Sequence, residues 1–308
     1  MKINTKIDWA GVKEKAFLEE MKPSGYYLPL VVFLIILLLL TNAYHLLSGQ
    51  DIWGRFPAAV GNAFQFCESN RMADLIRQPA NTWSNLIYLL VGLFIFSVGI
   101  HDYKNKERKE RPNFLVKYPL FTIMYAFACF YLFVGSFLFH ASLTRYHQIL
   151  DQSAMLVLTN VLLGFILYNI FPTYFVKGIE KSTHAFMMLL IVVLNYFVFL
   201  SVNIININVV FPIILLVIIG IGVYKYKKVK SISYYIKYML ISLLFMLIAT
   251  SIWILDRSHI LCNPTSYMQG HAVWHVLNGV SILLAYLYFR TAKLEEGTEE
   301  DLLEANTI

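Results

Sequence analysis

The sequence predicts an all-α fold, a bundle of eight membrane-spanning helices, and three observations lead to it. Of the 308 residues, 58% are hydrophobic and only 14% are charged, whereas soluble domains carry about 25% charged residues. The mean hydropathy is +0.61. The charged residues are gathered in short runs between long apolar stretches. These features exclude a soluble enzyme, a disordered chain and a nucleic-acid-binding protein, and they assign the net charge of +6 to loops that flank a membrane.

The eight spans follow from the apolar windows, because a helix that crosses a bilayer needs about 20 mainly apolar residues. One uncharged run of 43 residues lies between Lys181 and Lys225, which is too long for a single helix. Its middle, Asn203–Asn208 with Pro212 soon after, supplies the turn chemistry for two helices. The predicted spans, in order, are Tyr27–Tyr44, Trp83–Ile100, Tyr118–Phe139, Gln152–Ile170, Thr183–Val202, Val209–Tyr224, Tyr238–Leu255 and Ala272–Phe289.

The first window predicts a retained transmembrane helix, over residues 27–46, rather than a cleaved signal peptide. The segment before it is long and contains Asp8, Glu14 and Glu19, whereas the segment that opens a signal peptide is short and basic. Residues 1–26 are expected to be either a partly amphipathic segment on the membrane surface or a solvated tail. Residues 291–308 form an acidic tail.

The loop charges predict the orientation. Threading the chain through eight spans places 20 Lys and Arg residues on one side of the membrane and five on the other. Cytoplasmic loops carry the excess of Lys and Arg. Both termini are therefore expected in the cytoplasm, in a multi-pass integral membrane protein.

Five polar residues fall at the ends of spans, where ionisable side chains are costly and usually mark function. Ser136 and His140 share one helix face, as do His271 and His275, since each pair is four residues apart. Asp151 opens the fourth span, and the alternation of helices brings all five to the extracytoplasmic leaflet. Three histidines with an open position are typical of catalytic zinc, and Asp151 would act on bound water. A proton or ion path built from the same residues is the alternative.

Four sequence blocks resemble the alkaline ceramidases, within the CREST superfamily of seven-helix membrane hydrolases and receptors. The Ser-x3-His, Asp and His-x3-His elements are shared across that superfamily, and the others favour its ceramidase branch. The blocks are Cys67–Asn70 with Asn81–Asn85, Gly135–His140 with Asp151–Met155, Trp253–Asp256 with Cys262, and His271–His275. The resemblance implies a seven-helix ceramidase-like domain over residues 65–290, preceded by one extra helix.

The resemblance also implies an activity and a role for each residue. His140, His271 and His275 would bind zinc, and Ser136 would hydrogen-bond the metal-bound water or the oxyanion. Asp151 would be the general base and then the general acid. The expected reaction is hydrolysis of ceramide, or a related N-acyl sphingolipid, to a sphingoid base and a fatty acid. Metal-activated water suits an amide, which is a poor electrophile.

The family pattern further implies a disulfide between Cys67 and Cys262, in loops where it would persist. Alkaline ceramidases also bind calcium before the first core helix. Glu68 and Asn70 match that site, but Gln65 and Gln78 stand where carboxylates are expected. Calcium gains affinity from ligand charge, so the sequence predicts a weak site or, instead, an uncharged hydrogen-bonded cap.

Other functions in different classes remain open from the sequence. One is an ester lipase of the same superfamily, and another is a non-catalytic lipid receptor or sensor with structural zinc. An ion transporter would need no stoichiometric zinc. A membrane lipid is the expected partner of the amidase, the ester lipase and the receptor. The sequence indicates no protein partner.

Overall fold

The computed structural model describes residues 24–59, 66–104, 114–170, 236–260 and 262–291, with a few single positions between 193 and 220. Eight helices have both ends within these residues: α1 (Ser24–Leu47), α2 (Pro79–Ser84), α3 (Leu86–Lys104), α4 (Phe114–Lys117), α5 (Pro119–Ser142), α6 (Arg145–Ile170), α7 (Ile236–Arg257) and α8 (Gly270–Thr291). Within these ranges the chain forms no strand, and Ala58 and Thr144 form an isolated bridge.

Six helical stretches are long and apolar enough to cross a membrane: α1, α2 with α3, α5, α6, α7 and α8. They indicate a multi-pass membrane protein and confirm an all-helical architecture. Apart from a few single positions, the described residues do not include the predicted fifth and sixth spans. The segment before residue 24 and the tail after residue 291 also lie outside them. The second predicted span begins earlier than expected, at Pro79, whose missing N–H is tolerated in a first helical turn.

The core lies among α3, α5, α6 and α8 and is largely aromatic and aliphatic. Tyr88, Tyr125, Phe165 and Tyr286 are almost fully buried in it. Close helix contact requires small residues in membranes, where packing rather than hydrophobicity drives association. A Cβ at Gly279 of α8 would lie 2.5 Å from the Ile87 side chain of α3. The bundle is therefore packed tightly enough to fix side chains at its ends.

The extra helix α1 lies on the outside of this core, against α3. Tyr26, Phe33 and Ile36 pack on the core cluster, and the Ser97 hydroxyl donates to the Gly25 carbonyl at 2.8 Å. The opposite face of α1 exposes a row of large apolar side chains. Such a face is compatible with contact to lipid hydrocarbon, so α1 is a candidate membrane span at the periphery of the bundle.

Candidate metal centre

Three buried histidines converge at one end of the bundle. His140 lies in the last turn of α5, and His271 and His275 lie in the first two turns of α8. One ligand atom from each lies within 4.8 Å of the others. The Nε2 atoms of His140 and His271 are 3.1 Å apart. The predicted histidines are thus brought together as one group.

Hydrogen bonds behind two of the rings orient them toward this group. His140 Nδ1 lies 2.7 Å from Gln78 Oε1, and His275 Nδ1 lies 2.8 Å from Ser84 Oγ. An amide oxygen only accepts, so His140 carries its proton on Nδ1. The Ser84 hydroxyl donates to the Asn81 carbonyl at 2.9 Å, which leaves its oxygen free to accept from His275. Both rings therefore direct Nε2 lone pairs inward.

His271 is held differently. The Phe66 ring stacks on it, with centroids 3.9 Å apart. Its Nδ1 has no hydrogen-bond partner among the described residues, and its backbone N–H donates to Asp256 Oδ2 at 3.0 Å. Packing and the backbone, rather than a side-chain hydrogen bond to the ring, define the position of this imidazole.

The donor set fits a divalent metal such as zinc. Zinc binds imidazole nitrogen at about 2.0–2.1 Å, and in catalytic sites it takes three protein ligands with one open position. Two nitrogens separated by 3.1 Å can share one ion in that geometry. Neutral imidazoles whose other nitrogen is hydrogen-bonded are the usual ligands. The group could therefore hold a metal ion, by the chemistry of its donors as well as by their proximity.

Ser136 and Asp151 lie beside one another, as the sequence predicts. The Ser136 hydroxyl lies near enough to interact with the Asp151 carboxyl group, and Ser136 is one turn before His140 on α5. A Cβ at Gly135 would come within 2.9 Å of the Leu150 carbonyl oxygen, so α5 and α6 touch backbone to backbone here. Asp151 does not open its helix, however. The helix begins at Arg145, which places Asp151 in its second turn.

The disulfide between Cys67 and Cys262 is confirmed. It anchors residues 66–78, which we name the disulfide loop, beside the histidines. Glu68 in this loop accepts the N–H groups of Ala80 and Asn81 at 2.7 and 2.9 Å, and so caps α2. Burial raises the pKa of Glu68, while these two backbone hydrogen bonds lower it.

The side-chain oxygens that are predicted to bind calcium accept hydrogen bonds from N–H groups in this arrangement. Both Glu68 oxygens cap α2, and Asn70 Oδ1 accepts from Gln78 Nε2 at 2.6 Å. These contacts form the hydrogen-bonded cap that the sequence offers as the alternative. Calcium binding at Glu68 and Asn70 stays a prediction.

An apolar cavity of about 600 Å³ lies between α2, α8 and the segment that leads into α8. Trp83, Val273 and Val276 contribute to its lining, and so does Ser84, the hydrogen-bond partner of His275. The cavity gives the protein a hydrocarbon-compatible surface next to the metal centre.

The family model described as Ceramidase matches residues 59–305, which include every residue of the metal centre. The chain belongs to the ceramidase family. A comparison with curated proteins gives no match. Membership supports a hydrolase that acts on amide bonds, and the match begins after α1, which is therefore outside the family domain.

Three positions in this ceramidase-family chain have structural roles at the centre that the sequence analysis did not assign. Gln78 and Ser84 contact histidine rings, and Asp256 contacts the backbone of His271. Ser84 and Asp256 lie inside blocks that carry the family resemblance. Their presence there was the available signal, but the sequence does not show which polar group each one meets.

Proposed function

We propose that the chain is a zinc-dependent amidase of the membrane that hydrolyses ceramide, or a related N-acyl sphingolipid, to a sphingoid base and a free fatty acid. The observation that carries the proposal is the convergence of His140, His271 and His275 in one buried group. Ser136, which neighbours Asp151, lies one turn before His140 on α5. Family membership supports the amide substrate class.

His140, His271 and His275 would hold the metal. Zinc in this site supplies Lewis-acid polarisation of a carbonyl and makes a water molecule more acidic. The remaining chemistry falls to side chains of this chain. Asp151 accepts the proton of the attacking water and later returns it to the leaving amine of the sphingoid base.

Ser136 has a more specific task than the sequence indicates. Its hydroxyl lies near enough to Asp151 to donate to it, so it orients the carboxylate that moves the proton. Once Asp151 has taken the proton of the water, its carboxylic acid can donate to the Ser136 oxygen. The Ser136 hydroxyl proton is then free to donate to the carbonyl oxygen as negative charge develops there. Positioning and charge stabilisation are then shared by one residue.

The centre is placed at the extracytoplasmic leaflet in this proposal, with both termini in the cytoplasm. The distribution of 20 Lys and Arg residues on one side against five on the other supports this orientation. The substrate enters from the lipid, and the apolar cavity between α2 and α8 supports a hydrophobic ligand.

The test is mass spectrometry of a labelled C18 ceramide incubated with the purified protein. Wild type should release labelled fatty acid. His275→Ala should lose both zinc and hydrolysis. Asp151→Asn should keep zinc, measured by elemental analysis, yet fall in rate by about 10²–10⁴, the usual contribution of general acid–base catalysis. His259→Asn is the matched control, because His259 is exposed and Asn also tolerates its positive φ.

The same assay separates the rival functions. A labelled ester lipid cleaved in place of ceramide would replace the amidase by an ester lipase. Zinc bound at one equivalent without hydrolysis of either lipid would favour a receptor with structural zinc. Absence of zinc from wild type would overturn the metal centre and favour an ion path.

A further inference from the structure

Asp256 joins two parts of the molecule that are distant in sequence. Its Oδ1 accepts the backbone N–H of Cys67 at 3.0 Å, and its Oδ2 accepts the backbone N–H of His271 at 3.0 Å. The residue is 4% exposed. One buried carboxylate therefore links a disulfide half-cystine directly to a proposed metal ligand.

The location of Asp256 is unfavourable for its own helix. It is the second-last residue of α7, where the partial negative charge of the helix dipole repels a carboxylate. Its side chain reaches across to the N-terminus of α8, where backbone N–H groups lack partners within the helix and a carboxylate is stabilising. The side chain thus stabilises the helix that carries His271 and His275.

Asp256 and the first residue of α8 are in such close contact that a side chain at position 270 would not fit. A Cβ at Gly270, the first residue of α8, would lie 2.9 Å from Asp256 Cβ and 3.0 Å from Oδ2. The carboxylate therefore lies directly against the first turn of α8. Because both histidines lie within the next two turns, a shift of this helix start would move both imidazoles.

The other side of the bridge is fixed to the same region. Cys67 is disulfide-bonded to Cys262, and the Ser69 N–H donates to the Pro264 carbonyl at 3.0 Å. Phe66 stacks on His271. The disulfide loop is therefore held against the segment that leads into α8, and Asp256 closes the connection between them.

We propose that Asp256 is a positioning residue that couples the Cys67–Cys262 disulfide to metal binding by His271 and His275. The inference rests on the proposed metal centre. While the disulfide is intact, it holds the Cys67 N–H against Oδ1, and Oδ2 holds the start of α8. When the disulfide opens, the carboxylate loses a fixed anchor and the two ligands lose their preorganised position. Metal retention thereby depends on the oxidised state of the loop.

The experiment is a mutant cycle read out as zinc affinity, with full-length protein in lipid nanodiscs and a competing chelator. The variants are Asp256→Asn, Cys67→Ser with Cys262→Ser, and all three together. Serine is used because free thiols would themselves bind zinc. Each perturbation should weaken zinc binding by about 10–100-fold, the range found when groups that support metal ligands are removed. The triple variant should bind zinc no more weakly than whichever of the other two variants binds it less tightly.

Independent roles predict a different result, because the effects of uncoupled changes multiply. Multiplied losses in the triple variant, or unchanged zinc affinity in Asp256→Asn, would overturn the coupling. The matched control is Asp102→Asn, a buried carboxylate near the C-terminal end of α3. It should lower thermal stability without changing zinc affinity.

A second measurement compares two redox states of wild type, so its decisive comparison needs no variant to fold. Folded wild-type protein is reduced with a phosphine, and the rate of zinc loss to the chelator is compared with that of the oxidised protein. Faster loss, by about tenfold or more, is expected for wild type, and Asp256→Asn should lose zinc fast in either state. Equal rates for oxidised and reduced wild type would refute the coupling, whereas oxidised wild type without any zinc would overturn the proposed function.

Discussion

The two imidazoles with side-chain partners are held by groups of different strength. His140 donates to the amide oxygen of Gln78, which is fully buried. His275 donates to the hydroxyl of Ser84, and the Asn81 carbonyl lies near enough to accept as well. Removing Gln78 therefore leaves an N–H without a partner, while removing Ser84 leaves an alternative acceptor in place.

Gln78→Leu should accordingly weaken zinc binding more than Ser84→Ala does. We expect about 10–100-fold for Gln78→Leu and about tenfold or less for Ser84→Ala, measured by chelator competition. Ser242→Ala is the control, since Ser242 pairs with Ser281 at 3.0 Å between α7 and α8 and lies away from the histidines in sequence. A larger loss for Ser84→Ala would show that the hydroxyl alone holds His275.

At this scale the sequence predicts the ligands but not their supports. His271 and His275 are recognisable because a helix period places residues four apart on one face, and the alternation of spans brings His140 to the same end. Gln78 and Asp256 reach the centre through long-range packing, and no spacing rule specifies such contacts. Their roles become visible only when the disulfide loop is placed against α5 and α8.

At the scale of elements, the contact between α5 and α6 determines whether Ser136 and Asp151 meet. Helix α5 ends at Ser142, and the next residue, Leu143, has a positive φ of 47°, a conformation that terminates helices and is rare for a non-glycine residue. The next helix begins two residues later, at Arg145. The sequence predicts that start near Asp151 instead, because no propensity rule indicates a left-handed leucine.

Gly135→Val should separate the two helices and so abolish hydrolysis while zinc is retained. Its side chain would meet the Leu150 carbonyl, which as backbone cannot move aside. We expect a rate loss of about 10²-fold or more, since misplacement by about 1 Å has that cost. Gly92→Ala is the control, because its neighbour is the Phe130 side chain, which can rotate. Hydrolysis at the wild-type rate in Gly135→Val would contradict the proposed role of the Ser136–Asp151 pair.

The cap of α2 predicts a pH dependence of stability. Burial raises the pKa of Glu68 above its usual value near 4.5, the nearby Asp256 adds to the rise, and Arg71 and the Ala80 and Asn81 N–H groups oppose it. The folded state then binds more protons than the unfolded state above pH 4.5, so stability falls as pH rises through that range.

Glu68→Gln removes this titration. The melting temperature of wild type should therefore decline more steeply than that of Glu68→Gln as pH rises from about 4.5, measured by thermal unfolding in detergent at closely spaced pH values. Parallel curves for the two proteins would mean that burial does not shift this carboxyl group.

At the scale of the whole molecule, the bundle has polar contacts at both ends and an apolar core between them. Opposite the metal centre, Arg290 of α8 pairs with Asp102 of α3 at 2.6 Å, with both side chains fully buried. Breaking a buried pair by removing one partner costs about 3–5 kcal/mol. The same helices, α3 and α8, are thus joined by charge at the ends away from the histidines, and the disulfide loop lies at their other ends.

The helix α1 is attached to this bundle rather than part of it. Its contacts are apolar packing on α3 and the bond from Ser97 to the Gly25 carbonyl, and the family match begins only at residue 59. Removal of α1 should also preserve the predicted orientation of the remaining helices in the membrane. Five of the 20 Lys and Arg residues predicted on the cytoplasmic side lie in residues 1–26, so the predicted distribution for the remaining chain is still 15 against five.

Deletion of residues 1–47 should therefore leave zinc binding and ceramide hydrolysis within about twofold of wild type, because no residue of α1 contacts the metal centre in the part of the chain that the structure describes. The melting temperature should fall, since Phe33, Ile36 and the residues around them lose partners on the core cluster. Ser97→Ala is the matched control for the polar contact between α3 and α1. Both quantities are measured on protein purified in nanodiscs, with the lipid composition held constant. Loss of hydrolysis with zinc retained would contradict this expectation, and it would assign α1 a direct part in the entry of substrate from the membrane.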